Sequence, residues 1–182
     1  DDVVAVLQAL AAMSLSHRKN DGRTMPALAY IGLGANLGQA QETLQQALNE
    51  IDATAEIKLV KVAPYYSSAP IDSSGPDYVN TVASVHTSLG PHELLATLQK
   101  IEHRHGRERP YINAPRTLDL DLLLYDDLIM NSPALTIPHP RMHLRAFVLR
   151  PLQDIAGNLT LAQGSIETLL KQCEDQRLSP LS

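Results

Sequence analysis

Residues Pro115–Tyr125 read PRTLDLDLLLY, and the rest of the chain is best read outward from them. A β-strand alternates its side chains between two faces. Asp119 and Asp121 therefore share one face, while Leu118, Leu120 and Leu122 share the other and can enter a core. The same alternation carries Leu123 and Tyr125 along the acidic face. Two carboxylates this close repel, and each raises the other's pKa unless a cation lies between them. Asp is also disfavoured inside strands, so a merely solvated edge strand explains the pair poorly. Mg²⁺ suits it, because that ion takes one or two carboxylates and fills its shell with water and substrate phosphates. Arg116 stands just ahead of the strand, with a fork of donors matched to a phosphate oxygen. The stretch reads as strand-borne metal ligands with a cation at the entrance, which is the outline of a phosphoryl-transfer site.

Upstream of it, Pro91–His105 has the pattern of a helix. Pro91 suits the first turn, and Leu94, Leu95, Leu98 and Ile101 form the buried stripe. A basic loop follows, in which Arg107 and Arg109 join Arg116; arginines hold phosphates and spread charge in the transition state. A solvated loop would also account for Arg107 and Arg109, but not for Arg116 at the strand start. Tyr78–Thr87 reads as a strand with Tyr78, Asn80 and Val82 on one face. The loop before it, Ser67–Asp77 (SSAPIDSSGPD), is rich in Pro, Gly, Ser and Asp, and long loops in compact domains are disproportionately functional. Glu56–Tyr66 alternates with blurred faces. Gln39–Ile51 forms a helix with Ala40, Leu44, Ala47, Leu48 and Ile51 along one side. Ala27–Leu33 is the first strand. It ends in Gly34-Ala35-Asn36, which lacks the glycine fingerprint or lysine of a phosphate loop.

Downstream, Leu128–Met130 and Ala134–Ile137 are short extended pieces. Pro138–Met142 is rigid and carries His139. Leu144–Leu152 is expected to be a helix containing Arg145 and Phe147. Gly164–Cys173 is expected to be a last amphipathic helix, followed by a loose tail. The order strand, helix, strand, strand, helix, strand gives an α+β fold: a ferredoxin-like βαββαβ antiparallel sheet with helices on one face and a C-terminal α extension. The second face is left to the long loops, the C-terminal segment or a ligand, and Asp119 and Asp121 lie on or near it.

The chain has 182 residues, net charge −5 and 44% hydrophobic residues, enough for one domain with a real core and too apolar for a disordered protein. No apolar run is long enough to span a bilayer. The mild acidity argues against a generic nucleic-acid surface. Cys173 is the only cysteine, so an intrachain disulfide and a cysteine-built zinc site are excluded, and a cytoplasmic setting fits. Residues 1–24 stand apart. Val3, Val4, Val6, Leu7, Leu10 and Ala11 form a short apolar face ahead of a polar, turn-rich stretch, and the opening Asp1-Asp2 argues against a secretory signal. They are expected to be an upstream or appended segment, disordered or an accessory helix, ahead of a domain at 25–182.

YIGLGANL at 30–37, YSSAPI at 66–71, PDYVN at 76–80, PRTLDLDLLLY, and IPHPRMHLRAFVLRPL at 137–152 together resemble 6-hydroxymethyl-7,8-dihydropterin pyrophosphokinase of folate biosynthesis. Several spaced motifs in one order are more specific than any of them alone. The resemblance covers about Met25–Asp154. It implies transfer of pyrophosphate from ATP to the pterin hydroxymethyl group with release of AMP, dependent on two Mg²⁺ ions held by Asp119 and Asp121. Arg107 and Arg116 resemble the catalytic arginines. Gln99, Glu102, Arg109, Arg116, Leu122, Thr136, His139 and Arg145 fall on ATP-binding positions. Ser68, Ala69, Ile71, Tyr78, Asn80, Asp119 and Phe147 fall on the pterin slot. The implied partners are ATP and a pterin, with no nucleic acid and no membrane, and a monomer. Where members of the family commonly read Arg-Trp-Gly, this chain has Ile112-Asn113-Ala114, so a stacking Trp and a phosphate arginine are replaced. A regulatory metabolite-binding domain of the same fold would not need the two aspartates and three nearby arginines. A nucleic-acid-binding one would need more sheet aromatics.

Overall fold

In the computed structural model, which describes residues 26–36, 39–70, 76–106 and 118–181, the chain runs through a mixed α/β architecture. Its elements in order are β1 (Ala27–Ala35), α1 (Ala40–Ala53), β2 (Ile57–Val62), β3 (Tyr66–Ser68), β4 (Tyr78–Thr87), α2 (Pro91–His105) and β5 (Asp119–Tyr125). Then come a small hairpin, β6 (Met130–Asn131) and β7 (Thr136–Ile137), a 3₁₀ turn at Met142–Leu144, and α3 (Ala146–Ala156). A second hairpin, β8 (Thr160–Leu161) and β9 (Gly164–Ser165), leads to α4 (Ile166–Gln172) and β10 (Leu178–Pro180).

β1 lies inside the main sheet, antiparallel to β4 on one side and to β5 on the other. The far edge of β4 is shared: β2 pairs along its C-terminal half and β3 along its N-terminal half. β10 adds outside β3. α1 and α2 cover one face. Leu44, Leu48 and Ile51 from α1 and Leu94, Leu98 and Ile101 from α2 pack on Ile31, Leu33, Val85, Leu118, Leu120 and Leu122. The helical stripes read from the sequence are therefore the buried ones, with Leu95 only half-buried.

Of the coverings expected for the second face, it is the C-terminal segment that closes it, through its helices. Val148, Leu149 and Leu152 of α3 and Ile166 and Leu169 of α4 bury Val82, Leu123 and Met142. The first turn of α3 borders a gap over this face, and that gap is where the site forms.

Several expectations are corrected. The Glu56–Tyr66 strand is two strands: a register shift between Leu59 and Lys61, and a break after Val62, produce the blurred alternation. Tyr125 does not continue the acidic face. A bulge in β5, where Tyr30 opposes Leu124 and Ile31 opposes Leu122, leaves Leu123 as the extra residue. Leu123 and Leu124 then both face α3 and α4, and Tyr125 turns into the opposite core, where its hydroxyl donates to the Leu89 carbonyl at 2.5 Å. β1 runs on to Ala35, past the expected turn at Gly34. Arg145 is not inside a helix but lies in extended backbone between the 3₁₀ turn and α3. The last helix starts at Ile166, because Gly164 and Ser165 belong to the β8–β9 hairpin. The tail expected to be loose is β10. The apolar face at Val3–Ala11 lies outside the described residues.

Candidate active site

Two cross-strand rows define the floor of the gap. Asn80 of β4 lies opposite Gly34 of β1, which lies opposite Asp119 of β5; Val82, Gly32 and Asp121 make the next row. Side chains two apart on a strand share a face and stand roughly 6.6 Å apart along it. Asp119 and Asp121 thus rise side by side on the face away from α1 and α2, as their spacing predicts. The glycines between the rows leave the floor low. A Cβ on Gly34 would lie 3.4 Å from the Asn80 Nδ2, and one on Gly32 would lie 3.5 Å from Leu123.

The walls come from three other segments. Ser68, Ala69 and Pro70 line one side, Tyr78 and Asn80 another, and Arg145, Phe147 and Val148 close the α3 side of a cavity of about 210 Å³. The Ser68 hydroxyl donates to the Asn80 Oδ1 at 2.8 Å, and both residues are buried, so the Asn80 amide group is held in one orientation. The Arg145 guanidinium carbon sits 5.6 Å from the centroid of the Phe147 ring, within cation–π range. It forms a cationic rim above an aromatic face. His139 stands at the same rim. Burial pushes its imidazole pKa down, opposed by the charge of Asp121 and reinforced by those of Arg145 and Arg141. Its backbone N–H is tied to the Leu123 carbonyl at 2.9 Å, directly beyond the acidic pair.

The cavity therefore gathers Ser68, Ala69, Tyr78, Asn80, Asp119, Asp121, Arg145 and Phe147 from four parts of the sequence. Other residues singled out in the sequence lie elsewhere. Leu122 is buried among the core side chains under α1 and α2. Glu102 of α2 uses its carboxylate to accept the Leu120 N–H at 2.9 Å, bracing β5 between its two aspartates. Gln99 is exposed on α2, and Thr136 is half-buried in β7. Ile71, Arg107, Arg109 and Arg116, with Ile112-Asn113-Ala114, lie outside the described residues. Gly32, Gly34, Pro70, Thr81 and Val148 also line the cavity and were not singled out. For the glycines the signal was present: two of them, two apart in a strand, bare one face.

Among the described residues, no group of three or more His, Cys, Asp or Glu side chains could hold a metal ion. The donor set that does exist, two hard carboxylates beside a cavity, fits Mg²⁺, which shares its shell with substrate oxygens. It fits zinc poorly, since structural zinc sites take four protein ligands and catalytic ones three.

Residues 30–157 match the family described as 7,8-dihydro-6-hydroxymethylpterin-pyrophosphokinase. A 2-amino-4-hydroxy-6-hydroxymethyldihydropteridine pyrophosphokinase from Haemophilus influenzae is 44% identical over 156 residues, which are 85% of this chain and 98% of that protein. The protein of the same name from Pseudomonas aeruginosa is 43% identical over 79% of this chain and 90% of its own length. Among solved structures, a Plasmodium falciparum HPPK-DHPS has a TM-score of 0.65 at 12% identity; the match covers 81% of this chain but only 44% of that one, so the likeness is one of fold to part of a longer protein. With the family matched over most of its length, and two bacterial relatives aligned nearly end to end, the chain belongs to the 7,8-dihydro-6-hydroxymethylpterin-pyrophosphokinase family.

Proposed function

We propose that the cavity beside Asp119 and Asp121 is where pyrophosphate passes from ATP to the hydroxymethyl group of 6-hydroxymethyl-7,8-dihydropterin, with AMP as the other product. Family membership carries the reaction in folate biosynthesis. The observation that supports this location is the convergence of two carboxylates, an oriented amide, an aromatic face and an arginine on one small cavity.

Drug-sized pockets run about 300–1,000 Å³, so a 210 Å³ cavity suits a flat fused ring alone. In this reading the pterin lies between Tyr78 and Phe147. Its ring edge meets the Asn80 amide, locked by Ser68, and main-chain groups at Ala69 and Ile71. Its hydroxymethyl group points toward Asp119. ATP lies outside that slot, along Arg145, His139, Thr136, the main chain at Leu122, and Gln99 and Glu102 on α2. Arg107, Arg109 and Arg116 meet the phosphates, with Arg107 and Arg116 stabilising charge that grows in the transition state.

Asp119 and Asp121 would hold two Mg²⁺ ions, which would supply charge neutralisation at the phosphates. The chain's own residues then orient the acceptor hydroxyl in line with the phosphorus and exclude water. The sheet order β5-β1-β4-β2 and the alternation with α1 and α2 support a ferredoxin-like core. The domain is taken as 25–182, and residues 1–24 as an appended segment. Exposed large apolar side chains among the described residues are few (Val60, Val62, Ile129 and Leu144), which supports a monomer. No helix among the described residues is long and apolar enough to cross a membrane. The free, buried Cys173 suits a reducing cytoplasm.

The test is AMP release from ATP at fixed Mg²⁺, with and without the pterin, and again after chelation of the metal. Pterin-dependent AMP without ADP, abolished by chelation, is the expected result. ADP formation, or AMP release indifferent to the pterin, overturns the reading.

A further inference from the structure

The C-terminal segment after α4 reaches two walls of the cavity in successive residues. Gln176 lies between the 3₁₀ turn and α3. Its Oε1 accepts the Ala146 N–H at 2.9 Å, and its Nε2 donates to the Leu144 carbonyl at 2.8 Å. These two groups flank Arg145 on either side, and they are 30 and 32 residues distant in sequence. The Arg145 backbone bonds locally, its N–H donating to the Met142 carbonyl at 3.3 Å and its carbonyl accepting from Val148 and Leu149, but the groups on either side of it turn to Gln176. Arg145 is the N-cap of α3, in extended backbone at φ −123° and ψ 109°, and its side chain makes no capping bond. The first N–H groups of a helix lack intrahelical partners; here the Gln176 amide satisfies one of them. Only one orientation of that amide serves a donor and an acceptor together.

Gln176 is itself held from both sides. Its N–H donates to the Cys173 carbonyl at 2.9 Å. Leu178, two residues on, pairs with Ser68 in the β10–β3 ladder, and Leu181 N–H donates to the Tyr65 carbonyl at 2.9 Å. Between them Arg177 reaches Asp77, just ahead of Tyr78, at 2.6 Å, though both partners are largely exposed. An exposed pair of this kind contributes roughly 0–1 kcal/mol, so the better-shielded side of the clamp is the part-buried bond from the Ala146 N–H to Gln176.

We propose that Gln176 is a positioning residue for the transfer, tying Leu144 and Ala146 on either side of Arg145 so that its guanidinium stands over Phe147 at the cavity that Asp121 also lines. It touches neither substrate; it acts through Arg145. The inference rests on the reading of Arg145 as a nucleotide-side group, and its test separates the two.

Four full-length proteins are compared in steady-state AMP release at varied Mg-ATP and saturating pterin: wild type, Gln176→Met, Arg145→Ala, and the double variant. Gln176→Met keeps the length of the side chain and loses both bonds. A small misplacement at a reacting centre can cost about 10²-fold; here Gln176→Met is expected to lower kcat/KM for ATP about tenfold. On the Arg145→Ala background the same change is expected to cost less than about twofold, since residues acting as one unit are not additive. Full additivity of the two changes overturns the positioning role, as does wild-type kcat/KM in Gln176→Met. If Arg145→Ala alone has no effect, it is the nucleotide reading of Arg145 that fails. Gln176→Glu retains the acceptor for the Ala146 N–H and should fall between wild type and Gln176→Met. It also keeps the test sound if the Met variant melts early; a Glu variant as impaired as Met, in a protein that melts like wild type, counts against the clamp.

Discussion

At the scale of single residues, the acidic pair and the oriented amide make different contributions to stability and function. Asp119 and Asp121 are half-buried neighbours on one strand face that line the cavity rather than the core. Asp119→Ala or Asp121→Ala should therefore abolish pterin-dependent AMP release, with no restoration by added Mg²⁺. Each should leave the melting temperature within about 2–4 °C of wild type, the shift that 1 kcal/mol produces in a chain of this size. Turnover rescued by Mg²⁺ would demote the residue to a peripheral ligand. Ser68 is different, because its hydroxyl serves the amide, donating to Asn80 at 2.8 Å in a buried site. A net hydrogen bond contributes about 1 kcal/mol, so Ser68→Ala should weaken pterin binding roughly five- to tenfold by calorimetry. ATP binding should be unchanged. These roles were readable in the sequence to different degrees. The spacing of Asp119 and Asp121 shows a shared face directly. The Ser68–Asn80 bond, across twelve residues, needed the β3–β4 pairing to be seen.

At the scale of elements, β1 is the plainest case of side chains being left out for a purpose. Its odd-numbered residues Ala27, Ala29, Ile31, Leu33 and Ala35 enter the helix-covered core, while Gly32 and Gly34 floor the cavity. Added volume at Gly34 rises into the space between Asn80 and Asp119. Gly34→Val should fold, since valine suits a strand, yet lose more than about tenfold in pterin affinity, by roughly the 1.4 kcal/mol that tenfold represents. Near-native affinity, measured by calorimetry, would show that the ring does not reach the sheet. The helices α1 and α2 were legible almost to the residue, because a stripe at helical spacing does not depend on its neighbours. The bulge in β5 was not. A strand pattern gives the faces of a regular strand, and whether one residue is extruded depends on the register of the partner, here the opposition of Tyr30 to Leu124. That single insertion moves Tyr125 from the expected acidic face to the opposite core.

At the scale of the whole molecule, the C-terminal segment is what separates a stable sheet from a completed site. β10 adds only three paired residues to the edge of the main sheet, but it brings Gln176 to the start of α3. Ending the chain after Asp175 removes the clamp and the ladder, and the folded core under α1 and α2 keeps its contacts. The shortened protein should melt about 4–8 °C lower, corresponding to roughly 2 kcal/mol. It should lose a larger share of its activity than of its secondary structure, as measured by circular dichroism and AMP release on the same sample. A truncated chain with full activity would mean that the segment only borders the site.

The sequence by itself determined the strand–helix alternation, the two amphipathic helices, the shared face of Asp119 and Asp121, and the resemblance that names the chemistry. These are properties of local spacing or of motif order, and both are written along one dimension. Only the tertiary structure decided which segments close the second face, that Arg145 stands ahead of α3 rather than within it, and that the tail returns to pair with β3. Those outcomes depend on contacts between residues far apart in the chain. Leu178 meets Ser68, and Gln176 meets Leu144 and Ala146, because the end of the 3₁₀ turn and the start of α3 leave backbone groups without partners in their own elements.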